Sequence, residues 1–205
     1  MDTTRFLMVG GFLGAGKTTT ILSLARRFQA DGKRVGIVTN DQATDLVDTR
    51  LVEQGGFDVS EIAGGCFCCR FDELTQATAD LDARHQPEVI LAEPVGSCTD
   101  LAATVLEPLR RFHGHFELGP LAVLVKPEHG RRILVDQQPM GVSREAAYIF
   151  EKQIEEADII VINKIDRLSA QELSTLQDAL ADRFPRAHVL AISAREGTGM
   201  DQLMA

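Results

Sequence analysis

An α/β fold with a mainly parallel central sheet and helices on both faces is predicted by three observations. Short apolar runs alternate with amphipathic stretches along the whole chain. Most of those runs lack polar alternation, as strands buried on both faces should. A glycine-rich stretch, Gly10–Gly16, joins the first run to the first amphipathic stretch.

The strands are expected at Arg5–Val9, Arg34–Thr39, Val59–Ile62, Val89–Ala92, Leu121–Val125, Ile159–Ile162 and Val189–Ile192. The helical patterns are Lys17–Gln29, Asp72–Arg84, Asp100–Phe112, Arg144–Glu156 and Ser169–Arg183. Ser169 followed by Glu172 fits a capping box, in which each side chain satisfies the other's backbone N–H. Three connections, Asp41–Phe57, Gly64–Arg70 and Lys126–Ser143, are too long or too unusual to be plain turns. The final residues, Met200–Ala205, read as the opening of one more helix.

Composition narrows the function. The 205 residues suit one α/β domain, and with no Trp and a single Tyr the core must be mostly aliphatic. A formal net charge of −9 argues against non-specific binding to nucleic acid or an anionic membrane, which need a basic face. No apolar stretch approaches the ~20 residues of a membrane span, and the first one lacks a basic leader. The chain is expected to be soluble and cytoplasmic. Three of the four cysteines crowd into Cys66-Phe67-Cys68-Cys69, a spacing for metal or redox chemistry in a reducing compartment rather than for disulfide staples.

The chemistry begins at Gly11-Phe12-Leu13-Gly14-Ala15-Gly16-Lys17-Thr18, which is G-x-x-x-x-G-K-T, followed by Thr19. Strand before and helix after are the context that a phosphate-binding loop requires, and they set the fold as that of the P-loop NTPases. Backbone N–H groups around Gly11, Gly14, Ala15 and Gly16 would converge on phosphate oxygens at the positive end of the helix. Lys17 should bridge the β and γ phosphates, and the Thr18 hydroxyl should ligate Mg²⁺. The alternative is a glycine-rich turn that only caps a helix.

Asn163-Lys164-Ile165-Asp166 is N-K-x-D at the end of an apolar run, about 145 residues after the P-loop. The Asp166 carboxylate can accept both donors on the Watson–Crick edge of guanine, whereas adenine would set an acceptor against it. Hydrogen-bond readout of that kind discriminates by ~10⁴ or more. Asn163 would contact the base edge and the Lys164 stem would cover its face. Ser193-Ala194-Arg195, after the last strand, matches the S-A element whose backbone meets guanine O6. Glu93, ending the run Val89–Ala92, occupies the acidic Walker-B position that orders the Mg²⁺ shell or the attacking water, and Gly96 follows three residues on.

The set G-G-F-L-G-A-G-K-T-T, Glu61 with Gly65-Cys66-Phe67-Cys68-Cys69, E-x-x-G and N-K-x-D resembles the CobW-like GTPases. That class includes the urease- and hydrogenase-maturation GTPases, and the resemblance spans essentially the whole chain. It implies slow hydrolysis of GTP to GDP and phosphate, coupled to binding and delivery of a transition metal, Zn²⁺ or Co²⁺ foremost. It also implies Mg²⁺ held by Thr18, Asp48 and Glu93, a metal-requiring client protein, and a nucleotide-dependent homodimer. Residues 1–205 would be the family's N-terminal GTPase domain, without its usual C-terminal domain. The family pattern N-E is here Asn40-Asp41, and no His-rich tract is present.

Cys66, Cys68 and Cys69 are the expected transition-metal ligands, with buried inert thiols or a redox pair as alternatives. A fourth ligand would come from Glu61, Cys98, a histidine, water or a partner subunit. His113 and His115 form a second pair, more simply read as surface bystanders. Two other functions compete: a GTP-state switch gating a protein partner, with structural cysteines, and a small-molecule kinase. N-K-x-D argues against the kinase.

Overall fold

The computed structural model describes residues 3–40, 57–112, 114–136 and 143–204. The first half of the chain runs β1 (Thr4–Gly11), α1 (Lys17–Ala30), β2 (Val35–Thr39), β3 (Asp58–Glu61), α2 (Phe71–His85) and β4 (Val89–Glu93). A π-helical turn, Ala102–Leu106, leads into α3 (Glu107–Phe112), followed by β5 (Phe116–Leu118) and β6 (Ala122–Val125). Next come α4 (Pro127–Gly130), a second π-helical turn (Arg131–Val135) and α5 (Arg144–Glu155). The chain ends with β7 (Ile159–Ile162), α6 (Ala170–Arg183), β8 (His188–Ala191) and α7 (Met200–Met204).

The strand order is β3-β2-β4-β1-β6-β7-β8, with every pairing parallel. Side-chain alternation divides the sheet's apolar residues between two cores. Phe6, Met8, Ile90, Ala92, Val123 and Ile160 face α2, α3, α5 and α6. Val9, Ile37, Leu91, Leu124 and Val161 face α1 and α7. An uninterrupted apolar run is what such a two-sided strand needs, and all seven expected strands appear within a residue or two of their expected bounds.

The eighth strand, β5, is not among the expected ones. It pairs with Thr4–Phe6 of β1, while β6 pairs with Val9–Gly11 of the same strand. Residues 116–125 therefore follow one course along β1, broken at Gly119-Pro120, where proline offers no N–H to a ladder.

All five expected helices form, and Ser169 and Glu172 close the capping box. The stretch Lys126–Ser143 holds α4 and the second π-helical turn. α7 is short, but it is held by tertiary contacts: Met200 lies in the second core and Asp201 pairs with Arg27 of α1.

Leu91, fully buried at the centre of β4, tests the two-sided packing. Leu91→Ala should lower unfolding free energy by about 2–5 kcal/mol, measured by urea denaturation.

Candidate functional site

Because the strands run parallel, their C-terminal ends lie along one edge of the sheet, where ligands of open α/β folds bind. The loops after β1, β3, β4, β7 and β8 open there, and β2 ends there.

The loop after β1 ends at Gly16, the N-cap of α1, with φ 96°. That left-handed backbone suits glycine, and a Cβ there would also stand 2.5 Å from Asn163 Nδ2. Lys17 and Glu93 are both buried, and Lys17 Nζ lies 4.0 Å from Glu93 Oε1. The Thr18 hydroxyl donates to the same carboxylate oxygen at 3.0 Å. A hydroxyl beside a carboxylate at a helix N-terminus is the oxygen donor set of a hard cation such as Mg²⁺. Asp48, the third expected Mg²⁺ ligand, lies outside the described residues. Gly96 closes over this group: a Cβ on it would sit 3.1 Å from Lys17 Nζ and 3.2 Å from the Leu13 nitrogen. Phe12 anchors the other side of the loop, edge-on to His129 and Phe150. Burial, ahead of the Lys126 charge, lowers the pKa of His129 and favours its neutral form within this cluster.

The base-reading residues meet around one side chain. Asn163 is buried; its Nδ2 donates to Ala15 O at 2.9 Å, and its Oδ1 accepts from Lys164 N at 2.8 Å and Ala194 N at 3.1 Å. It thus ties the P-loop to both loops that follow β7 and β8. The Ala194 N–H, expected to face the base, is directed to Asn163 here. Lys164 is left-handed (φ 64°), a costly state for a side-chain-bearing residue, and Nζ reaches Gly14 O at 2.6 Å. Asp166 accepts from Ser193 Oγ at 2.6 Å, and that bond is the first cause of its lowered pKa. A cavity of about 290 Å³ is lined by Gly16, Thr19, Asn163, Lys164, Asp166, Ala194 and Arg195, together with Arg167, which the sequence did not single out.

The third cluster lies on the loop between β3 and α2. Cys66, Cys68 and Cys69 place their sulfurs within 4.8 Å of one another, with Cys66 Sγ 2.8 Å from Cys68 Sγ and 3.2 Å from Cys69 Sγ. Backbone bonds from Cys69 N and Arg70 N to Cys66 O fold the turn that gathers them. Burial alone would raise Cys66, but hydrogen bonds with Cys68 and Cys69 outweigh it and bring it down to about 7. Cys68 is pushed up to about 12, by burial first and then by Cys66. Cys98 is buried and also raised, by burial first. Glu61 ends β3, and no carboxylate or imidazole among the described residues joins the three sulfurs within that distance.

Asn40, also unanticipated as a site residue, links this loop to the nucleotide edge. Its backbone N–H donates to Glu93 O at 3.0 Å, while Nδ2 donates to Ile62 O at 2.8 Å and to Gly65 O at 2.5 Å. Its signals in the sequence were its place directly after an apolar run and its match to the first residue of the family pattern N-E. His115 lies before β5, which pairs with the opening residues of β1 at the opposite end of the sheet from the cysteines. His113 lies outside the described residues.

The thiol geometry makes Cys66 the stronger nucleophile of the close pair at neutral pH. Limiting iodoacetamide at pH 7.5 should modify Cys66 ahead of Cys68, and the Cys66 rate should fall as pH drops through about 7. Peptide mapping by mass spectrometry reads both.

The chain is similar to known proteins. The model of the family "CobW/HypB/UreG, nucleotide-binding domain" matches residues 5–191. The zinc chaperone CobW of a Sinorhizobium species is 27% identical over 93% of this chain and 58% of its own length. The zinc chaperone YeiR of Escherichia coli is 32% identical over 85% of this chain and 50% of its own. The chain thus spans little more than half the length of these relatives. Among solved structures, HypB from Helicobacter pylori in complex with nickel superposes with a TM-score of 0.69 at 17% identity, covering 98% of this chain and 84% of that one. With the family model covering nearly all of it, the chain belongs to the CobW/HypB/UreG family of GTPases and carries that family's nucleotide-binding domain.

Proposed function

We propose that this chain binds Mg²⁺-GTP, hydrolyses it slowly to GDP and phosphate, and uses the cycle to bind and deliver a transition-metal ion to a metal-requiring client in the cytoplasm. The observation that supports it best is the convergence, on one sheet edge, of the Lys17–Glu93–Thr18 group and the three-thiol loop, joined through Asn40. The zinc-chaperone names of the relatives favour Zn²⁺ as cargo.

In this reading the P-loop N–H groups and the N-terminus of α1 receive the phosphates, and Lys17 neutralises charge developing between the β and γ groups. Thr18 and Glu93, with Asp48, would hold Mg²⁺, which when bound neutralises phosphate charge. Lys17 and Thr18 already converge on Glu93 Oε1, so little rearrangement is needed before substrate arrives. Gly96 offers its backbone to the γ-phosphate side of Lys17. Asp166, held by Ser193, accepts from the guanine edge, and Lys164 covers the base while its ammonium stays on Gly14 O. The cysteines hold the cargo as thiolates, giving up their protons to solvent.

Two variants test the nucleotide half. Lys17→Ala should abolish phosphate release while the fold persists, because the charge facing the reacting phosphates is gone. Asp166→Asn should weaken GTP binding by about tenfold to a hundredfold and shift preference toward xanthosine triphosphate. Wild-type turnover in Lys17→Ala, or equal affinity of the unmutated protein for ATP and GTP, would overturn the reading.

A further inference from the structure

Helix α5 lays one line of side chains against both halves of the phosphate site. Phe150, Gln153 and Glu156 follow one another at intervals of three, so they lie along the same side of the helix. Phe150 packs edge-on to Phe12 of the P-loop, with ring centroids 6.4 Å apart. Glu156, the C-cap, accepts the backbone N–H of Ala102 at 3.1 Å, where the first π-helical turn begins. Between these two anchors, Gln153 is 2% exposed and donates from its single Nε2 to Gly96 O at 3.1 Å and to Cys98 O at 2.8 Å.

The turn after β4 is therefore held from behind. Its two carbonyls need donors, and one amide nitrogen with two N–H groups supplies both. A flipped amide would set an oxygen against each carbonyl, so the chemistry fixes its orientation. Gln153 Oε1 is buried and has no partner among the described residues, which leaves the side chain held by its donor side alone. Cys98 N closes the same turn onto Val95 O at 3.0 Å.

On its other face the turn presents Gly96. A Cβ there would lie 3.1 Å from Lys17 Nζ and 3.2 Å from Leu13 N, so this backbone is within reach of a group bound to the Lys17 ammonium. The Gly96 N–H makes no hydrogen bond among the described residues. We propose that Gln153 is a positioning residue for γ-phosphate recognition: it holds the Gly96 N–H toward a phosphate on Lys17, and so sets how strongly the protein prefers GTP to GDP. Gln153 touches no reacting atom. Without it the turn would become ordered only as nucleotide arrives, which weakens the one ligand that uses the turn. This rests on the GTP-binding reading above.

The test compares a non-hydrolysable GTP analogue with GDP, both with Mg²⁺, by calorimetric titration of the full chain. Gln153→Met keeps the volume of the side chain but offers no N–H. The variant should bind the analogue about tenfold more weakly and GDP within about twofold of the unmutated protein, as expected for one or two lost hydrogen bonds. At saturating GTP its kcat should fall as well, because the same N–H faces the phosphate as it reacts. A role in packing alone would weaken both nucleotides alike. An unchanged ratio of the two affinities, or an equal loss for both, overturns the proposal. A second measurement needs no variant, since reciprocity requires the γ-phosphate to tighten the clamp in return. In ¹⁵N-labelled unmutated protein, the Gln153 side-chain amide protons should exchange with water more slowly in the analogue form than in the GDP form. Equal or faster exchange in the analogue form overturns the proposal. If the unmutated protein binds neither nucleotide, the GTP-binding reading falls and this proposal with it. If it binds both and the ratio survives Gln153→Met, only the role of Gln153 falls.

Discussion

A buried carboxylate needs a cation, and the site is arranged around that requirement. Glu93 is 6% exposed at the end of a central strand, and Lys17, 9% exposed, stands 4.0 Å away. Such a pair repays its own desolvation poorly, and apolar residues of the same size would often pack at least as stably. Its value lies in what it keeps ready: an ammonium facing the phosphate position, and a carboxylate oxygen that already accepts the Thr18 hydroxyl. The backbone at Glu93 is also fixed from the side by Asn40 N.

The parallel sheet extends this constraint to the other loops. Three strands deliver a functional residue where they stop: Glu93 at the end of β4, Asn163 after β7 and Asn40 after β2. Asn163 then ties three segments with one buried amide, which fixes the base site relative to the P-loop. Gly16 is the complement of that amide, since any side chain there would occupy its place. α5 belongs to both halves of the site, through Phe150 packed on Phe12 and Gln153 bonded to the turn after β4.

Most of the seven strands were legible because a two-sided strand is a bare apolar run, and the loops because their chemistry dictates residue and spacing together. β5 was not: three residues with an outward glutamate carry no periodicity above background, and only its pairing with β1 defines it. The thiol cluster was legible as composition, but its asymmetry, with Cys66 lowered and Cys68 raised, depends on sulfur–sulfur distances that no sequence states. Gln153 left no trace, because a glutamine on a helix reads as solvent-facing until tertiary packing buries it. Asn40 was legible as the first residue of the family pattern N-E, but its role as a link between loops became visible only when β2 and β3 were seen to pair in register up to Thr39 and Glu61.

The central claim is that nucleotide and metal share one coupled structure, and its most direct measurement is a reciprocal pair of titrations. Zn²⁺ is titrated into the GTP-analogue and GDP forms, and the analogue into metal-free and metal-loaded protein, all with Mg²⁺. Coupling through Asn40 predicts a ratio of metal affinities between about 5 and 150, with the same factor recovered for the analogue, because linkage is reciprocal. Equal metal affinities in the two nucleotide states would contradict the account.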